Sequence, residues 1–193
     1  MTKAIFFDRD GTLLVETGYL SHVSMVRPYH FAAEALKLTA DAGFLNIVVT
    51  NQSGIARGYI HEADLDGIHE RMRSLLAREG ASLDAVFYCP HHVKGAVPEY
   101  SVSCDCRKPG TGLGLRAIKQ FGIDPALSYA VGDKVSDFLF GRNLGATPCL
   151  VRTGYGDAES ARLVQLGLEK ADIFDNVLEA AKWIVARERE ELS

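Results

Sequence analysis

Short apolar runs and amphipathic stretches take turns along this chain. Ala4-Ile5-Phe6-Phe7 is a continuous apolar run that stops at Asp8, and it predicts a buried strand. Residues 31–42 carry apolar side chains at helical spacing, with Gly43 as the stop. Residues 45–50, built around Ile47-Val48-Val49, predict a second buried strand. A charged, periodic helix follows over 62–79 and closes at Gly80, and Ala85-Val86-Phe87-Tyr88 predicts a third strand. Residues 89–108 show no period and read as a loop. Helices over 113–121 and 135–144 flank a fourth strand at Tyr129-Ala130-Val131, and Pro148-Cys149-Leu150-Val151 predicts a fifth. Two further helical stretches cover 159–169 and 176–191. Strands that alternate with helices predict an α/β fold: a central parallel sheet with helices on both faces. Such sheets bind ligands beyond the carboxyl ends of their strands. Asp8, Thr50, Cys89 and Asp133 all fall at those ends.

Composition narrows the picture. A chain of 193 residues is expected to form one domain, residues 1–193, and to bury about 70% of its unfolded surface. With 47% hydrophobic and 24% charged residues it is not a disordered chain. No run approaches the ~20 apolar residues of a transmembrane helix, and the apolar stretch before Asp8 is too short for a signal peptide. The expectation is a cytoplasmic protein. Acidic residues outnumber basic ones, 25 to 21, for a net charge of −4. That argues against nucleic acid or an anionic membrane as partner. A small molecule and a monomeric state are expected instead.

Four short segments carry chemistry. Asp8-Arg9-Asp10-Gly11-Thr12 puts two acids at i and i+2 just past a strand. If the chain turns at Gly11 they share one site, one serving as a nucleophile and the other as a proton donor, with affinity for a hard cation such as Mg²⁺. Alone, the same pattern is a solvated turn. Thr50-Asn51-Gln52-Ser53-Gly54 offers a hydroxyl and backbone amides for phosphate oxygens; alone, it is a capped turn. Arg107-Lys108-Pro109 supplies a cation that can neutralise a phosphoryl group; alone, it is surface charge. In Gly132-Asp133-Lys134, followed by Asp137, Asp133 can complete a carboxylate metal site with Asp8; alone, the segment is a helix start, where Asp137 suits the first turn. Their order, each after a predicted strand, makes the combination stronger than its parts.

Cysteines are clustered too. Cys89-Pro90-His91-His92 and Cys104-Asp105-Cys106 are separated by twelve residues after His91. Three thiolates and one imidazole suit a closed tetrahedral Zn²⁺ site with a structural role. His91 and His92 compete for the fourth place, and spacing does not choose between them. Cys149, inside a predicted strand, reads as a small core residue.

With these segments in hand, the chain resembles the haloacid dehalogenase (HAD) superfamily of phosphotransferases over nearly its whole length. The four motifs match Asp8-x-Asp10-x-Thr12, Thr50, Lys108 and Gly132-Asp133. The resemblance implies a three-layer Rossmann-like fold. Asp8 becomes the nucleophile, Asp10 the acid and base, and Thr50 and Lys108 the holders of the phosphoryl oxygens. Mg²⁺ is implied on Asp8, the Asp10 carbonyl and Asp133. The stretch from Thr50 to Gly58 and the Cys/His loop narrow the match to the zinc-containing subgroup of heptose-bisphosphate and histidinol-phosphate phosphatases. That subgroup's pattern places zinc on Cys89, His91, Cys104 and Cys106. It places substrate on Glu16, Thr17, Gly18 and Tyr19, on Thr50, Asn51, Gln52 and Ser53, and on Arg107, Lys108 and Lys134. The implied reaction is loss of the 7-phosphate from heptose 1,7-bisphosphate, a step toward lipopolysaccharide core. Alternatives are the same chemistry on histidinol phosphate, or a non-catalytic, zinc-stabilised phosphosugar-binding module. The segment between Asp8 and Thr50 has no room for a cap domain, so an open site is expected.

Overall fold

In the computed structural model, residues 1–168 and 171–191 are described. Six strands form one sheet in the order β3-β2-β1-β4-β5-β6: β1 (Lys3–Phe7), β2 (Phe44–Asn51), β3 (Ala85–Cys89), β4 (Tyr129–Gly132), β5 (Thr147–Val151) and β6 (Asp172–Phe174). Every neighbouring pair is parallel. The helices are α1 (Ala32–Asp41), α2 (Ser53–Ala56), α3 (Glu62–Arg78), α4 (Gly112–Phe121), α5 (Val135–Leu144), α6 (Gly156–Gln165) and α7 (Val177–Glu191). Among the described residues no helix is long and apolar enough to cross a membrane.

Alternation along β1 divides the core. Ile5 and Phe7 pack into one layer with Leu36 of α1, Leu65, Ile68 and Met72 of α3, and Ile184 of α7. Ala4 and Phe6 face the other way, against Leu113 and Ala117 of α4 and Phe140 and Leu144 of α5. A strand apolar on both faces must be covered on both, which explains the continuous run Ala4–Phe7. A third, smaller cluster joins Leu163 of α6 to Phe138 and Leu150. Cys149 is fully buried in β5.

Four features differ from the sequence expectation, one of them the short helix α2, where only a turn was expected. β6 is a sixth strand. The helix expected from residue 159 begins at Gly156 and ends at Gln165, and the last expected position, Glu169, lies outside the described residues. The loop after β3 contains a single 3-10 turn, Pro98–Tyr100. Between β1 and α1, residues 8–31 form a loop with one short turn at Val23–Met25 and no folded cap.

Candidate active site

Adjacent strands β1 and β4 deliver Asp8 and Asp133 to the same edge of the sheet, and Asp8 N donates to Val131 O. α5 follows at once and adds Asp137 from its first turn. Oxygen atoms of Asp8, Asp133 and Asp137 lie within 4.8 Å of one another, and all three residues are buried. Lys108 reaches into this group from the loop before α4. Its Nζ lies 2.8 Å from Asp8 Oδ1 and 2.8 Å from Asp137 Oδ1, and it donates to Val49 O at 2.6 Å. The neighbouring backbone is clamped by Asn51: Lys108 N donates to Asn51 Oδ1 and Asn51 Nδ2 donates to Lys108 O.

The charges in this cluster set one another. Burial alone would raise the Asp8 pKa, but Lys108 and Lys134 outweigh it and hold Asp8 below the usual carboxylate range. Burial likewise works against the charge on Lys108, and Asp137 and Asp8 overcome it, so its pKa is raised. Asp133 is the strained member. Burial, then the Asp8 charge, push its pKa up to about 8. Its Oδ2 accepts from Tyr155 N at 2.9 Å, while the buried Oδ1 has no hydrogen-bond partner among the described residues. Three carboxylates against two ammonium groups, one oxygen of them orphaned, fit a small hard cation. Gly11 lets the chain pass this point. It has φ 83°, and a Cβ there would overlap the Asp133 carboxylate.

Asp10 is placed apart from that trio. Its carboxylate accepts from Arg9 and from Gln52 Nε2, and Gln52 Nε2 also donates to Thr50 Oγ1 at 3.0 Å. Thr50 is buried at the end of β2. A cavity of about 300 Å³ opens over this edge, lined by Asp10, Glu16, Gly18, Tyr19, Asn51, Gln52, Ser53, Arg107 and Lys134, among others. Thr17 is exposed and is not part of the lining; Asp8, Thr50 and Lys108 are buried and not part of it either. Glu16 Oε1 accepts from Gly18 N at 2.6 Å, and its Oε2 is 3.5 Å from Lys134 Nζ. Lys134 also lies over the Tyr155 ring.

At the edge strand β3, a second cluster forms. Cys89, His91, Cys104 and Cys106 each bring one ligand atom within 4.8 Å of the others. The thiol separations are 3.0, 3.2 and 3.6 Å, and His91 Nδ1 lies 3.4 Å from Cys106 Sγ. A tetrahedron with bonds of ~2.3 Å has S···S edges of about 3.8 Å, so the thiols would move apart by up to about 0.8 Å around zinc. His92 is turned away: its Nε2 is 3.3 Å from Arg57 Nη2. Arg107 Nη1 donates to His91 O, which ties this loop to the cavity.

Two residues of this site carry little signal in the sequence. An acid at Asp137 suits the first turn of a helix by itself, yet it pairs with Lys108. Arg9, between the two acids, has a fully buried side chain bonded to Asp10, Gln52 and His69. A charged residue between two motif acids is a weak signal; its burial is visible only in the fold.

A parallel sheet with buried acids and a lysine at its carboxyl edge is the architecture of HAD-like hydrolases, and the HAD-hydrolase-like family model matches residues 105–180. The chain is 46% identical over 155 residues to D-glycero-beta-D-manno-heptose-1,7-bisphosphate 7-phosphatase of Pasteurella multocida, covering 80% of this chain and 84% of that protein. The enzyme of the same name from Haemophilus ducreyi is 43% identical over 178 residues, covering 91% and 94%. Among solved structures, D,D-heptose 1,7-bisphosphate phosphatase from B. bronchiseptica, complexed with magnesium and phosphate, superposes with a TM-score of 0.83 at 30% identity, covering 97% of this chain and 99% of that one. This chain belongs to the heptose-bisphosphate phosphatase family.

Proposed function

We propose that this protein is a Mg²⁺-dependent phosphatase that removes the C7 phosphate of D-glycero-D-manno-heptose 1,7-bisphosphate and leaves heptose 1-phosphate. The observation that carries the reading is the buried Asp8–Lys108–Asp137 array beside a polar cavity, in a chain whose relatives bear that name. Those relatives favour the heptose substrate over histidinol phosphate. The intact acid–lysine array speaks against a mere binding module.

Asp8 is the nucleophile. Its depressed pKa keeps it ionised at neutral pH, and a carboxylate oxygen attacks phosphorus as the ester P–O bond breaks. The departing sugar oxygen takes a proton from the Asp10 carboxyl, so the sugar leaves as an alcohol. Asp10 then removes a proton from water, water attacks the aspartyl-phosphate, and Asp8 is released as a carboxylate with inorganic phosphate. Lys108 neutralises phosphoryl charge, and Thr50 gives its hydroxyl to a phosphoryl oxygen. Asp137 holds Lys108 in place. Asp8, Asp133 and the Asp10 carbonyl would hold Mg²⁺, which when bound neutralises charge on the phosphoryl group. Glu16–Tyr19, Asn51–Ser53, Arg107 and Lys134 contact the sugar phosphate, with Arg107 and Lys134 supplying the positive charge. Zn²⁺ on Cys89, His91, Cys104 and Cys106 staples the loop that carries Arg107 and Lys108. The working form is a cytoplasmic monomer.

Phosphate release from heptose 1,7-bisphosphate and from histidinol phosphate, measured side by side with Mg²⁺, tests this. A large kcat/KM preference for the heptose, with heptose 1-phosphate as product, is expected. The reverse preference overturns the substrate, and no release from either overturns the catalytic reading.

A further inference from the structure

Arg9 is the largest fully buried side chain in the described structure. Burying a guanidinium costs several kcal/mol unless it is paired and hydrogen-bonded, so its partners are informative. Nε lies 3.2 Å from both Asp10 oxygens. Nη2 donates to Asp10 Oδ2 at 2.8 Å and to Gln52 Oε1 at 2.9 Å. Nη1 lies 3.1 Å from His69 Nε2, on α3. Burial, then the Arg9 charge itself, pull the His69 pKa down to about 4. The ring is neutral at pH 7, and Nε2 can accept the Nη1 proton. Arg9 is thus gripped on one side by a neutral acceptor and presents its fork to Asp10 on the other.

The two Asp10 oxygens are treated unequally. Oδ2 receives short bonds from Arg9 Nη2 and Gln52 Nε2, at 2.8 and 3.0 Å. Among the described residues Oδ1 receives only the longer Arg9 Nε contact at 3.2 Å. A carboxylate oxygen has two lone-pair directions. On Oδ2 both are taken; on Oδ1 one is left. We infer that Arg9 is a positioning residue for Asp10: together with Gln52 it saturates Oδ2 and leaves Oδ1 as the oxygen that gives the proton to the departing sugar oxygen and later takes one from water. His69 fixes Arg9 in turn. This rests on Asp10 being the proton donor.

Leaving groups of different basicity separate this role from general support of the fold. 2,4-Dinitrophenolate departs without protonation; a sugar alkoxide does not. First-turnover rates are measured for 2,4-dinitrophenyl phosphate and for heptose 1,7-bisphosphate, in the wild type, Arg9→Lys and Asp10→Asn. Arg9→Lys keeps the charge and loses the fork. It is expected to slow the sugar ester about 100-fold while the dinitrophenyl ester changes less than about threefold. Equal slowing of both esters, or of neither, overturns the inference. If Asp10→Asn shows no such split, the proton-donor reading itself fails; if it does and Arg9→Lys does not, only the Arg9 assignment fails. Should Arg9→Lys not fold, His69→Leu, which removes the acceptor for Nη1, is expected to show the same split in smaller measure, with His69→Gln restoring the sugar ester rate. Parallel losses on both esters in His69→Leu overturn the inference.

Discussion

Two clusters of ionisable side chains sit at the carboxyl edge of one sheet, and they are held by different means. Asp8 and Asp133 emerge from β1 and β4, neighbouring strands at the centre of the sheet, and Asp137 comes from the helix that follows β4 directly. Backbone ladders and the core on both faces fix their positions. Of the thiol–imidazole cluster only Cys89 lies on a strand, the edge strand β3; His91, Cys104 and Cys106 lie on the loop before α4, which has little core of its own. The first cluster is placed by the sheet. The second sits on a loop tied to the rest of the fold by fewer bonds, among them Ala96 N and Val97 N to Ala56 O and the Asn51 clamp on Lys108.

Four measurements would break or sharpen that contrast. The largest effect is expected from Asp8→Asn: Mg²⁺-dependent phosphatase activity falls on the order of 10⁴-fold, while circular dichroism stays native because the strands hold the site. Persistent turnover would remove Asp8 as nucleophile. Next is Cys104→Ser. Metal analysis of the wild type should find about one zinc per chain; the variant should lose it along with about 4 kcal/mol of stability, or roughly 8–16 °C in Tm. Hydrogen exchange should rise over residues 89–108 and leave β1 and β4 protected. A uniform rise would show that both clusters depend on the metal. Third, Asp137→Asn removes a partner of Lys108 without touching substrate, and kcat is expected to fall about 100-fold with KM little changed. A change in KM alone would place Asp137 in binding.

The smallest effect concerns His69. Its folded pKa, about 4, lies below the ordinary value of 6.5. Between those values the unfolded chain binds the extra proton, so stability falls as pH drops. From pH 7.5 to 5 the expected loss from this group is about 2 kcal/mol. Denaturant unfolding of His69→Gln should be flatter by that amount over the same range. Identical slopes in the two proteins would show that His69 is not held neutral.

The sheet was largely legible because each central strand is a short apolar run that ends in a chemical residue. β6 was not, since Asp172-Ile173-Phe174 is three residues long and begins with an acid. α2 spans four residues, too few for a helical period to show. At the site, the residues at strand ends could be placed from the order of motifs. Asp137 could not be assigned to Lys108, because an acid in the first turn of a helix has an ordinary explanation. Arg9 and His69 are sixty positions apart, and nothing local joins them; only the packing of α3 on β1 does. His91 and His92 were equivalent by spacing, and the turn of the chain decides which imidazole faces the thiols.

The bare loop over residues 8–31, where a cap domain would sit, has a kinetic consequence. A covered site must open before product leaves, and that opening often limits turnover. Among the described residues no folded cap stands over the site, so kcat would be set by bond-making rather than by opening or by diffusion of product. Adding a microviscogen such as sucrose should then leave kcat unchanged.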